Sequence, residues 1–109
     1  MVHEKLCGVS EFPTEGRQSF KINGKDIAVF FIDGKYYAIQ RKCTHMGGNL
    51  LKGKLEGKTI KCPLHGAVYD LETGELRQQV GTLAGILKKA KNAEIFKIIE
   101  ENGQLFIDI

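Results

Sequence analysis

The chain of 109 residues has no tryptophan, only three cysteines and three histidines, and no apolar run longer than Ile27-Ala28-Val29-Phe30-Phe31-Ile32. An odd number of cysteines cannot all close into intrachain pairs, which excludes the disulfide scaffold of small secreted domains. The longest apolar run falls far short of the roughly 20 residues that a helix needs to cross a bilayer. The opening stretch, Met1-Val2-His3-Glu4-Lys5-Leu6-Cys7, has neither the apolar region nor the cleavage site of an export signal, so a cytoplasmic location is expected. Reduced thiols are the rule there, which leaves cysteines available to metals. Excess charge is missing too. With 16 Lys and Arg against 13 Asp and Glu, and 42% hydrophobic residues, the chain is not a disordered polymer. It suits one domain, and no repeat, linker or low-complexity segment interrupts it.

What is present has mostly a period of two. Phe20 to Asn23, Asp26 to Asp33 and Tyr36 to Gln40 are separated by Asn23-Gly24 and Asp33-Gly34, the grammar of a β-meander with tight turns. Ile95 to Ile99, Asn102-Gly103 and Leu105 to Ile107 predict a C-terminal hairpin, and Leu6 to Ser10 predicts a first strand. Arg41 to Leu51 and Cys62 to Gly66 read as loops, with short strands at Lys58 to Lys61 and Ala67 to Leu71. Leu83 to Lys91 has apolar residues at helical spacing and Lys88, Lys89 and Lys91 near its end; a short helix is expected over 83–91, with Asn92 as its cap. The expected fold class is all-β, built of antiparallel sheets.

Cys43-Thr44-His45 and Cys62-Pro63-Leu64-His65 are two Cys/His pairs with sixteen residues between them. Thiolate plus imidazole is a ligand set for zinc or iron. A structural zinc site would take the same four donors, but zinc fingers group the cysteines first and the histidines second. Mixed pairs favour two metal centres, each pair giving its thiolate to one iron and its imidazole to the other.

Cys43-Thr44-His45-Met46-Gly47-Gly48 and Cys62-Pro63-Leu64-His65-Gly66 resemble the two boxes of Rieske iron–sulfur proteins, and the chain length resembles that of the small Rieske-type ferredoxins. The resemblance implies one 2Fe–2S cluster, with Cys43 and Cys62 on the inner iron and His45 and His65 on the outer iron. Gly47, Gly48, Leu64, Gly66, Ala67 and Tyr69 are then the residues expected around it. It also implies a β sandwich of base strands (1–40 and 82–109) into which a cluster-binding subdomain, about 41–81, is inserted, the whole forming a single domain. The function implied is a soluble one-electron carrier rather than an enzyme, moving electrons from a flavin-containing reductase to a terminal oxygenase or other redox enzyme. A small subunit of a larger oxidoreductase, such as a nitrite reductase, and a zinc-bound structural module are the rival readings. With His45 and His65 used, only His3 remains, so no two-histidine, one-carboxylate iron site can be built.

Departures from the family pattern carry information. High-potential Rieske proteins have an extra cysteine in each box, where this chain has Gly48 and Leu64, so their disulfide cannot form. Their serine after the second His-Gly is Ala67 here, which donates nothing. Tyr69 stands where a tyrosine bonds a cysteine sulfur, although a core aromatic is an equal reading. With a donor missing, the potential is expected nearer about −150 mV than +300 mV. Arg77 to Gly85 lacks the proline of the loop that covers many Rieske clusters.

Between Arg41 and Lys61 six basic residues, Arg41, Lys42, Lys52, Lys54, Lys58 and Lys61, face one acid, Glu56. They are either a solvated face or a docking rim for an acidic redox partner, with Arg41, Lys42 and Lys61 its nearest members to the boxes. Nucleic acid is a poor fit, since no aromatic–basic platform accompanies the charge. Cys7 reads as a small buried hydrophobe, and His3 has no assigned role.

Overall fold

The computed structural model describes residues 3–44, 48–64, 66–79 and 90–109. Its elements are β1 (His3–Gly8), β2 (Arg17–Ile22), β3 (Lys25–Ile32), β4 (Lys35–Gln40), β5 (Lys54–Glu56), β6 (Thr59–Lys61), β7 (Val68–Asp70), β8 (Leu76–Gln78), β9 (Ile95–Glu101) and β10 (Gln104–Asp108), with 3₁₀ turns at Val9–Glu11 and Leu50–Lys52. All pairings are antiparallel. Six strands form one sheet in the order β1-β10-β9-β4-β3-β2, and β5-β6-β7-β8 form a second. The larger sheet is narrowest in its middle, where the β4–β9 register holds Ala38↔Phe96 and Ile39↔Ile95.

The three hairpin turns form as their dipeptides predict. Asn23, Asp33 and Asn102 have φ of 50°, 49° and 52°, and the glycine after each is also left-handed. Such paired positive φ angles match the right-handed twist of the flanking strands. The apolar run in β3 exists because both faces are covered. Ala28 and Phe30 point into a cluster with Ile39, Leu50, Ile60, Tyr69 and Leu71, whereas Ile27 and Val29 pack with Ala38 and Ile107 on the other face. Phe31, at 43% exposure, escapes both.

Two strands have no clear signature in the sequence. β5 and β8 are three residues each and half exposed, so alternation has too little length to register. The expected helix over 83–91 falls on 83–89, outside the described residues, while Ala90 and Lys91 belong to an irregular stretch. That stretch, 90–94, is fastened one residue at a time. Ala90 exchanges both backbone groups with the Gln79 amide, Lys91 does so with the Thr44 hydroxyl, and Ala93 N–H donates to Gly74 O at 2.8 Å. Glu94 N–H donates to Gln40 Oε1 at 2.7 Å. Asn92, expected as the cap of that helix, accepts the Leu76 N–H on its Oδ1 at 2.9 Å.

Arg17 ties the two sheets together. Its Nη1 donates to Leu51 O at 2.8 Å and Gly53 O at 3.0 Å, and its guanidinium lies over the Phe30 ring. Asp70 organises the β7–β8 turn by accepting the N–H groups of Glu72 and Thr73 and a 2.8 Å hydrogen bond from Arg77. Arg77, first among the causes, and the two amides hold its carboxyl below the usual aspartate value.

Candidate metal centre

The first box leaves β4 and turns back at once. Lys42 bridges Asn49, Leu50 N–H donates to Arg41 O at 2.7 Å, and Cys43 N–H donates to Gly48 O at 2.7 Å. The second box is the connection between β6 and β7, closed by Cys62 N–H on Ala67 O at 2.7 Å and Gly66 N–H on Cys62 O at 3.2 Å. Regular strands thus hold both loops by their stems. The two cysteines are 5% and 3% exposed and belong to the same apolar cluster. No disulfide joins any of the three cysteines, all of which are described.

The loops touch at Gly48. A Cβ at that position would lie 2.7 Å from Cys62 Sγ and 3.2 Å from the Leu64 side chain, so only glycine lets the first loop lie against the second. Gly48 and Leu64 are therefore neighbours in space.

Tyr69 turns out to fill both roles open to it. It is fully buried, and its hydroxyl lies 3.1 Å from Cys43 Sγ. The same oxygen accepts Thr44 N–H at 3.3 Å and lies 2.8 Å from Thr44 Oγ1. Burial, and then the contact with Cys43, push its pKa well above the ordinary tyrosine range, so it remains a protonated donor. Ala67 is fully buried and offers the centre no hydroxyl. Gly66 has φ of +81°, and its carbonyl accepts a 3.3 Å hydrogen bond from Gln78 Nε2. Leu64 is 58% exposed at the loop surface. His45, Gly47 and His65 lie outside the described residues.

The residues present fit an iron–sulfur group. Two soft sulfur donors are buried among apolar side chains, a hydroxyl is aimed at one of them, and bare backbone faces the other. Nothing in the sequence marks Thr44 beyond its place in the first box. Its partner Lys91 is 47 residues away and bonds through backbone, which leaves no mark in the sequence. Gln79 and Arg17 also bond backbone distant in sequence and carry no local signal.

The basic rim is only partly exposed charge. Arg41 and Lys42 both approach Asp26, at 3.6 and 3.9 Å, and Lys58 pairs with Glu72 at 2.8 Å. Asp26 lies in β3 and Glu72 in the β7–β8 turn, both outside the 41–61 segment, so the local excess of base overstates the field. Lys61 has no ion pair among the described residues and stands directly opposite Lys54 across β5 and β6. Cys7 is half-buried, and burial followed by Glu11 raises its thiol. His3 Nε2 lies 4.0 Å from Asp108.

A two-sheet β fold presenting two cysteine loops back to back defines the class of small cluster-binding electron-transfer domains. Residues 3–86 match the Rieske 2Fe-2S domain, and the chain belongs to that family. It is 32% identical over 104 residues to the 3-phenylpropionate/cinnamic acid dioxygenase ferredoxin subunit of Shigella flexneri, covering 94% of this chain and 90% of that one. It is 44% identical over 55 residues to the ferredoxin component of the naphthalene 1,2-dioxygenase/salicylate 5-hydroxylase systems of a Ralstonia species, covering 50% of this chain and about half (53%) of that protein. The ferredoxin of Sphingomonas yanoikuyae B1 shares the fold with a TM-score of 0.79 at 23% identity, covering 99% of each chain. The cofactor is a Rieske-type 2Fe–2S cluster, and the chain is an electron carrier rather than an enzyme. The relatives favour neither a zinc-bound module nor a small nitrite reductase subunit. Among the described residues no helix is long and apolar enough to cross a membrane.

Proposed function

We propose that this chain is a soluble, cytoplasmic ferredoxin that takes single electrons from a flavin-containing reductase and delivers them to a terminal oxygenase. The observation that carries the reading is the pair of buried cysteines on loops in contact at Gly48. Cys43 and Cys62 would hold the cluster through thiolates, and His45 and His65 through imidazoles. Residues 41–81 act as the cluster-binding subdomain, and 1–40 with 82–109 as its base. The bound cluster supplies a site that gains and loses one electron at modest reorganisation. The chain's own groups set the terms of that exchange. Tyr69 donates a hydrogen bond to Cys43 Sγ, which spreads negative charge and favours the reduced state. The apolar cluster of Phe30, Leu50, Ile60 and Leu71 keeps water from the sulfurs.

Docking falls to Lys61 and Lys54, since Arg41 and Lys42 share Asp26. Two like charges directly opposite across a strand pair cost stability, and carboxylates on a partner would relieve them. Glu56 lines the same hollow and is the acid on that face. The assignment is tested by Cys62→Ser, which should lose the cluster, and His65→Cys, which should keep it with a shifted spectrum and a lower potential. If both variants retain the native spectrum, the ligand set is wrong.

A further inference from the structure

Around Cys43 there are more acceptors than protons. Thr44 Oγ1 lies 2.9 Å from the Lys91 carbonyl oxygen, 2.9 Å from the Lys91 nitrogen and 2.8 Å from Tyr69 Oη. A carbonyl only accepts, so the Thr44 proton goes to Lys91 O, and Lys91 N–H occupies one lone pair of Oγ1. Toward Tyr69, Thr44 can then only accept. Tyr69 Oη already receives Thr44 N–H at 3.3 Å and has one proton to give. Cys43 Sγ, 3.1 Å away, wants the same proton, because a ligand thiolate is also only an acceptor.

We propose that Thr44 is a positioning residue for the redox centre, whose hydroxyl competes with Cys43 Sγ for the single proton of Tyr69 and so holds the reduction potential down. The proposal rests on the reading of Cys43 as a cluster ligand. Two features keep the competition from being bypassed. Tyr69 is fully buried, so no bulk water takes its proton in place of Cys43 Sγ or Thr44 Oγ1. Thr44 is pinned through both backbone groups of Lys91, so it does not turn its own proton toward Tyr69 without abandoning the Lys91 carbonyl. Hydrogen bonds donated to cluster sulfurs raise the potential. Removing the competitor therefore raises it, and removing the Tyr69 hydroxyl lowers it.

The experiment is voltammetry of the cluster-loaded full chain with Thr44→Val, Thr44→Ala, Thr44→Ser, Tyr69→Phe and the double variant Thr44→Val/Tyr69→Phe. Thr44→Val and Thr44→Ala should shift the potential positively, Thr44→Ser should match the parent, and the double variant should coincide with Tyr69→Phe. An unchanged or negative shift in Thr44→Val overturns the proposal, as does a Thr44→Val shift that persists without the Tyr69 hydroxyl. So does loss of the cluster from both Thr44→Val and Thr44→Ala, which would make the residue purely structural. A native electron paramagnetic resonance spectrum in these variants leaves the ligand reading intact whatever the potential does. Cys43→Ser with a native spectrum would remove that reading instead.

Discussion

At the scale of single residues, the centre is governed by a few atoms near two sulfurs. Tyr69→Phe deletes one hydrogen bond to Cys43 Sγ. If all of a bond worth about 0.5–1.5 kcal/mol distinguishes the two oxidation states, the potential falls by about 20–60 mV in voltammetry. Gly48→Ala places a Cβ 2.7 Å from Cys62 Sγ, so the loops must part. The expected result is a substoichiometric iron content after purification, with the chain still folded by circular dichroism. Cys43 and Cys62 stand out in the sequence as candidate ligands because the spacing within each box is local. Thr44's partnership with Lys91 was not, because a hydroxyl bonded to backbone 47 residues away has no sequence signature.

At the scale of elements, the turns, the long strands and the short β6 and β7 are readable in the sequence, and β5 and β8 are not. Asn23-Gly24, Asp33-Gly34 and Asn102-Gly103 all form the turns that their left-handed φ preferences dictate. β5 and β8 owe their existence to pairing with β6 and β7 rather than to their own pattern. The β7–β8 turn depends on Asp70, whose carboxyl is held below its usual value mainly by Arg77. A depressed carboxylate contributes stability that is complete above its unfolded value of about 3.9 and fades as pH falls through the lower folded value. Asp70→Asn should thus unfold at a lower temperature than the parent at pH 7, and the gap should close below about pH 3.9. Melting curves across that range, taken as the difference between the two proteins, check this; a gap that stays constant into acid contradicts it.

At the scale of the whole molecule, the fold brings segments from both ends of the chain around one centre. The base sheet supplies β3 and β4 beneath the loops, and the stitched stretch at 90–94 reaches back to Thr44, Gly74, Leu76 and Gln79. Pairing also redistributes the charge: Asp26 answers Arg41 and Lys42, leaving Lys54 and Lys61 as the opposed cations. Oxidation of the reduced protein by the anion ferricyanide should slow as salt is raised, and Lys61→Glu should weaken that dependence; a salt-independent rate would place the field elsewhere. Cys43, Cys62, His45 and His65 are the proposed holders of the Rieske-type cluster. Iron and acid-labile sulfide counts, combined with electron paramagnetic resonance of the reduced protein, test that assignment most directly. Two irons and two sulfides per chain, with a spectrum whose mean g lies below the free-electron value, are the predicted result; a colourless, zinc-containing protein with no such spectrum would contradict it.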